Sequence, residues 1–136
     1  MRALATWMVI SVVGLTACGS TLKYATPSTA RAPGADAKIT ADVKKDQNQT
    51  LLEVTIANLP PPGRVADGAQ HFVAWQRVDS GTTWTRVATL KYDDGSRKGE
   101  LVGSVPATSF DFEVSAEKES AVASPSADIV VAQHVN

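Results

Sequence analysis

The chain has 136 residues, a formal net charge of −1 and 20% charged residues. That length suits one domain, and the near-balance of charge lacks the basic excess of a nucleic-acid-binding face. A single cysteine leaves no intrachain disulfide, so the fold must rest on apolar burial and backbone pairing.

Arg2 precedes an apolar run over residues 3–15, in which Thr6 and Ser11 are the polar positions. The run falls short of the roughly 20 apolar residues of a membrane-spanning helix. Its length suits the h-region of a secretory signal. It ends in Leu15-Thr16-Ala17-Cys18. This motif resembles the lipobox of bacterial lipoproteins: leucine, a tolerated polar residue, a small residue, then cysteine. The resemblance implies that residues 1–17 are a signal peptide and that Cys18 becomes the N-terminus. Cys18 would then carry a thioether-linked diacylglyceryl group and an amide-linked acyl chain, enough chains to hold stably in a bilayer. The implied partner is a membrane and the implied location the bacterial cell envelope. If the cell has two membranes, Gly19 in place of an acidic residue implies the outer one, at its periplasmic or external face.

Residues 19–37 are rich in Ser, Thr, Ala, Pro and Gly, and Pro27, Pro33 and Gly34 interrupt regular structure. Residues 18–37 are therefore expected to be the lipidated cysteine and a flexible tether, with a mean reach of roughly 25 Å. Leu22 and Tyr24 would be free to rest on the membrane.

From residue 38 the apolar period is 2. Ile39, Ala41 and Val43 share one face of a strand over residues 38–44. After the polar turn at 45–48, Leu52, Val54 and Ile56 do the same over residues 50–59, so the two strands predict an antiparallel hairpin. Pro60-Pro61-Pro62-Gly63 ends the second strand, because proline donates no ladder hydrogen bond. A third strand over residues 70–78 is apolar on both faces, with Phe72 and Ala74 on one and Val73 and Trp75 on the other. It reads as a central strand, with Trp75 as a candidate buried tryptophan. A fourth strand spans residues 83–92, and the turn-rich 93–99 leads into a fifth over 100–105. Over residues 109–117, Phe110, Phe112, Val114 and Ala116 alternate with Asp111, Glu113, Ser115 and Glu117. That places Asp111 and Glu113 in solvent. Residues 128–135 close the domain. About seven short strands and no amphipathic helix predict an all-β domain over residues 38–136, an antiparallel immunoglobulin- or fibronectin-like β-sandwich. A small barrel fits the same pattern.

Three segments carry a second resemblance: Phe72-Val73-Ala74-Trp75, then Trp84 to Leu90, then Phe110 to Glu117 followed by Ser124-Pro125-Ser126. Their order is similar to the extracytoplasmic β-sandwich domain of anti-sigma-K-type regulators. Those regulators have a cytoplasmic sigma-binding segment and a transmembrane helix, and here a lipobox stands in place of both. The resemblance therefore implies the fold and not sigma-factor control.

His71 and His134 lack the close ligand spacing of zinc sites. Asp93-Asp94-Gly95 lacks the alternating acids of a calcium loop and reads as a hairpin turn. There is no Gly-x-Ser-x-Gly elbow and no phosphate or dinucleotide loop. No enzymatic activity, metal or cofactor is expected. Trp84 and Arg86 share a strand face and belong to the residue types enriched at binding hot spots. They form the candidate binding surface, although packing of Trp84 beneath the Arg86 stem is the favoured reading of the pair. The expectation is a lipid-anchored envelope module that binds or supports a protein or envelope polymer. The alternatives are a small envelope enzyme without a motif, or an accessory to an envelope regulatory system.

Overall fold

The computed structural model describes residues 19–136; residues 1–17, the expected signal peptide, and Cys18 lie outside the described residues. Nine strands occur among the described residues. One sheet contains β1 (Gly19–Pro27), β2 (Asp36–Lys44), β3 (Gln49–Ala57), β7 (Lys98–Val105) and β6 (Lys91–Asp93), in the order β1-β2-β3-β7-β6. The other contains β5 (Thr85–Thr89), β4 (His71–Arg77), β8 (Phe110–Glu117) and β9 (Ile129–Val135), in the order β5-β4-β8-β9. All pairings are antiparallel. The order β2-β3-β7-β6 over β5-β4-β8-β9 is that of an immunoglobulin-like sandwich with one extra strand beside the third. The all-β sandwich expected from the alternation is thus present, and β1 adds a further edge strand.

The core follows from the period-2 pattern. Ile39 and Ala41 of β2 and Leu52, Val54 and Ile56 of β3 are buried with Phe110, Phe112 and Val114 of β8. Each large side chain so placed contributes about 1.5–3 kcal/mol of transfer free energy. The β2–β3 connection is one 3-10 turn, Lys45–Gln47, closed by Asn48 in the left-handed region at φ 48°. After β3, Pro62 opens a single helical turn, α1 (Pro62–Val65), where its missing N–H costs nothing.

The fourth predicted strand divides into β5 and β6, which belong to different sheets. The Leu90 N–H donates to Phe72 O at 2.8 Å as the chain leaves the β5-β4-β8-β9 sheet. Beyond it the Tyr92 hydroxyl donates to Leu59 O at 2.6 Å, and its ring meets Phe72 edge-on at 5.4 Å. The crossing closes one side of the sandwich. On the other side β1 lies against β9: the Thr26 hydroxyl donates to Gln133 Oε1 at 2.6 Å, and the Asn136 N–H to the Tyr24 oxygen at 3.2 Å.

The structure departs from the expected tether. Residues 19–27 pair with β2 along its whole length, from Gly19 opposite Lys44 to Pro27 opposite Asp36. Leu22 and Tyr24 pack against the core rather than lying free, and Ala32 and Ala35 are buried. The physical reason is that β1 covers the edge of β2, which would otherwise present unpaired backbone groups. The folded unit therefore includes residues 19–37 and does not begin at residue 38. A protein starting at residue 38 should be less stable than one starting at residue 19 by about 2–3 kcal/mol, from the lost burial of these side chains. Denaturant melts of the two check this, and equal midpoints would mean that β1 adds nothing.

A second departure concerns the far face of the β5-β4-β8-β9 sheet. Val73 and Trp75 lie outside the inter-sheet core cluster yet are fully buried. On β8, Ser115 and Glu117 are buried, and Glu113 is only 9% exposed instead of being in solvent. For Trp75, Ser115 and Glu117 the reason is the connection 118–128, whereas Glu113 lies beside Arg77 and Trp84. Arg86 Nε of β5 donates to Ser120 O at 3.0 Å, and the Ser126 N–H donates back to Glu117 Oε2 at 2.9 Å. The connection therefore crosses β4 and covers this face. Beneath it Trp75 Nε1 donates to Ser115 Oγ at 2.8 Å, and the Ser115 hydroxyl donates to Glu117 Oε2 at 2.6 Å. Buried polar groups persist where they are partnered in this way.

Candidate functional site

Strand pairing draws charged side chains into one row at the end of that sheet where β4 and β9 finish. Arg77, the last residue of β4, stands opposite Asp111 of β8, and Asp111 stands opposite His134 of β9. Arg77 Nε donates to Asp111 Oδ2 at 3.2 Å, and His134 Nδ1 lies 2.8 Å from Asp111 Oδ1. An ionised carboxylate only accepts, so Nδ1 carries the proton in this contact. Trp84, just ahead of β5, folds back beside the row, with the Arg77 guanidinium carbon 4.4 Å from its ring centroid. That distance is within the range of cation–π attraction. A shallow pocket of about 240 Å³ opens here, lined by Arg77, Trp84, Asp111, Glu113 and His134 among others.

The two carboxylates of the pocket differ. The hydrogen bond from His134 holds Asp111 below the ordinary carboxylate range; burial opposes it and Arg77 assists. Burial pushes Glu113 above that range; Arg77 opposes the shift and Asp111 reinforces it. The folded state therefore binds the Glu113 proton more tightly than the unfolded state does. The stability linked to Glu113 is complete at pH values below the unfolded pKa and is lost as pH rises through the folded one. Glu113→Gln cannot ionise and should be more stable than the parent at neutral pH by about 1 kcal/mol. The advantage should shrink as pH falls into the range where Glu113 is protonated. Urea melts at neutral and acidic pH measure this, and a variant less stable at neutral pH would show that the ionised carboxylate has a partner.

The row offers a clamped aromatic face, an ion pair with fixed geometry, and a second carboxylate that protonates more readily than usual. The nearby Ser115 hydroxyl is occupied between Trp75 and Glu117. Among the described residues no group of three or more His, Cys, Asp or Glu could hold a metal ion.

Of the candidate surface pair, Trp84 belongs to this row and Arg86 does not. Arg86 reaches Ser120 O and Thr89 Oγ1, away from the row, and Arg77 takes the place beside Trp84. His71 stands opposite Glu117 at the other end of β8 from His134. Asp93-Asp94-Gly95 forms the turn between β6 and β7, with the Gly95 N–H donating to Asp93 Oδ1 at 2.9 Å. Arg77, Asp111 and His134 escape sequence reasoning because only long-range pairing brings them together. Cys18 lies outside the described residues, and among those described no helix is long and apolar enough to cross a membrane. No family model, curated protein or solved structure matches the chain.

Proposed function

We propose that this chain is a lipid-anchored lipoprotein of a bacterial envelope, acting there as a binding or structural module. The observation that carries the reading is Leu15-Thr16-Ala17-Cys18 at the end of a short apolar run, with the lone cysteine one residue ahead of the first strand. The sandwich presents Arg77, Trp84, Asp111 and His134 at one end as a contact surface. Aromatic and arginine side chains dominate such contacts when they are held in place, because little freedom is lost on binding. The ion pair to Asp111 holds Arg77, and Arg77 in turn holds Trp84. In a cell with two membranes Gly19 directs the anchor to the outer one.

The test is Cys18→Ser in the full-length chain. It should leave the precursor unprocessed, with residues 1–17 still attached. Processing at the same site, or metabolic labelling by fatty acid that survives the substitution, would overturn the reading.

A further inference from the structure

We infer that the sandwich sits directly on the bilayer surface, with the end that carries the β2–β3 turn and the β4–β5 connection against the lipid headgroups. The inference rests on the proposed lipidation of Cys18 and adds how the domain is held. Gly19 pairs with Lys44 and Ser20 with Val43, so the backbone ladder begins one residue after Cys18. One residue spans at most about 3.6 Å. No slack separates the anchor from the fold.

The strand pairing settles which end faces the lipid. Val43 pairs with Thr50, and Thr50 with Val105 at the end of β7. The chain then enters β8 at Phe110, and Asp111 pairs with Arg77, after which residues 78–84 connect β4 to β5. The Lys45–Gln47 turn and residues 78–84 therefore share the end where Gly19 lies. That connection carries Val78, 57% exposed, and Trp84, a residue type that settles at the headgroup level. Charge at this end is nearly balanced, since Lys44 pairs with Asp42 at 3.1 Å, Arg77 pairs with Asp111 at 3.2 Å, and Asp46 follows Lys45. Covalent register, not attraction to anionic lipid, is what holds the domain there.

The test uses the acylated full protein in phosphatidylcholine vesicles containing headgroup-spin-labelled lipid. Acylation of Cys18 is first confirmed by intact mass, and its sulfur is then blocked as a thioether. A single fluorescent label is placed through Gln47→Cys at the proposed membrane end, or through Asp67→Cys at the opposite end. Thr82→Cys gives a second report from the membrane end. Labels at 47 and 82 should be quenched several-fold more than the label at 67. A Gly/Ser insert of about twelve residues between Cys18 and Gly19, with a mean reach of roughly 20 Å, should abolish the contrast. Equal quenching at both ends of the acylated protein would overturn the seat while leaving the anchor intact. So would a contrast that survives the insert, or one that appears only with anionic lipid. Cys18 without lipid would remove the underlying reading and the seat with it.

Discussion

Phe112→Ala should destabilise the domain by about 3–5 kcal/mol, the range for truncating a buried phenylalanine. Phe112 is 1% exposed and belongs to the inter-sheet core. It sits mid-sheet, opposite Gln76 of β4 and Gln133 of β9, where the neighbouring strands limit collapse into the space left behind. Native domains have only about 5–15 kcal/mol in total, so the loss should be plain in a urea melt of the protein starting at residue 19. The control is Val102→Thr. Val102 is 81% exposed on the outer face of β7, and the change should stay within about 0.5 kcal/mol. A Phe112 loss no larger than the control's would mean that β8 faces the other way.

Trp75→Ala should cost a similar amount, about 3–5 kcal/mol, for a different reason. Trp75 is fully buried outside the inter-sheet core, beneath the 118–128 connection, and its indole N–H is the first donor of the chain running through Ser115 to Glu117. Ser115→Ala should cost about 1–3 kcal/mol, because it leaves the indole N–H and the Glu117 carboxylate each short of a partner. The two losses should not add. In the double variant the indole donor is gone as well, so a coupling above about 0.5 kcal/mol is expected. Strict additivity would show that Trp75 and Ser115 do not act through one network.

The strands that were legible are those with one buried and one open face. Ile39, Ala41 and Val43 alternate with Lys38, Thr40 and Asp42, and in β3 Leu52, Val54 and Ile56 alternate with Glu53 and Thr55. In β8 the apolar half of the pattern was read correctly and the polar half was not. Alternation reveals which residues leave the inter-sheet core, but not that a distant connection then covers them. Ser115 and Glu117 are buried by residues beyond the strand's own end, and Glu113 lies beside Arg77 and Trp84. β1 was obscured by composition, since Ser, Thr and Pro resemble a linker. The alternation of Leu22, Tyr24 and Thr26 was the available signal, as all three face inward to some degree. At the candidate site Trp84 was legible by residue type. Its partners were not, because Arg77, Asp111 and His134 meet only through the β4–β8 and β8–β9 registers.

We propose that the folded β-sandwich follows immediately on a lipid-bearing Cys18. Intact-mass and N-terminal peptide analysis of the protein from bacterial membranes tests it most directly. The expected result is a chain lacking residues 1–17, with Cys18 first and carrying a diacylglyceryl group on its sulfur. A chain that retains those residues, starts elsewhere, or carries an unmodified Cys18 would overturn the proposed anchor.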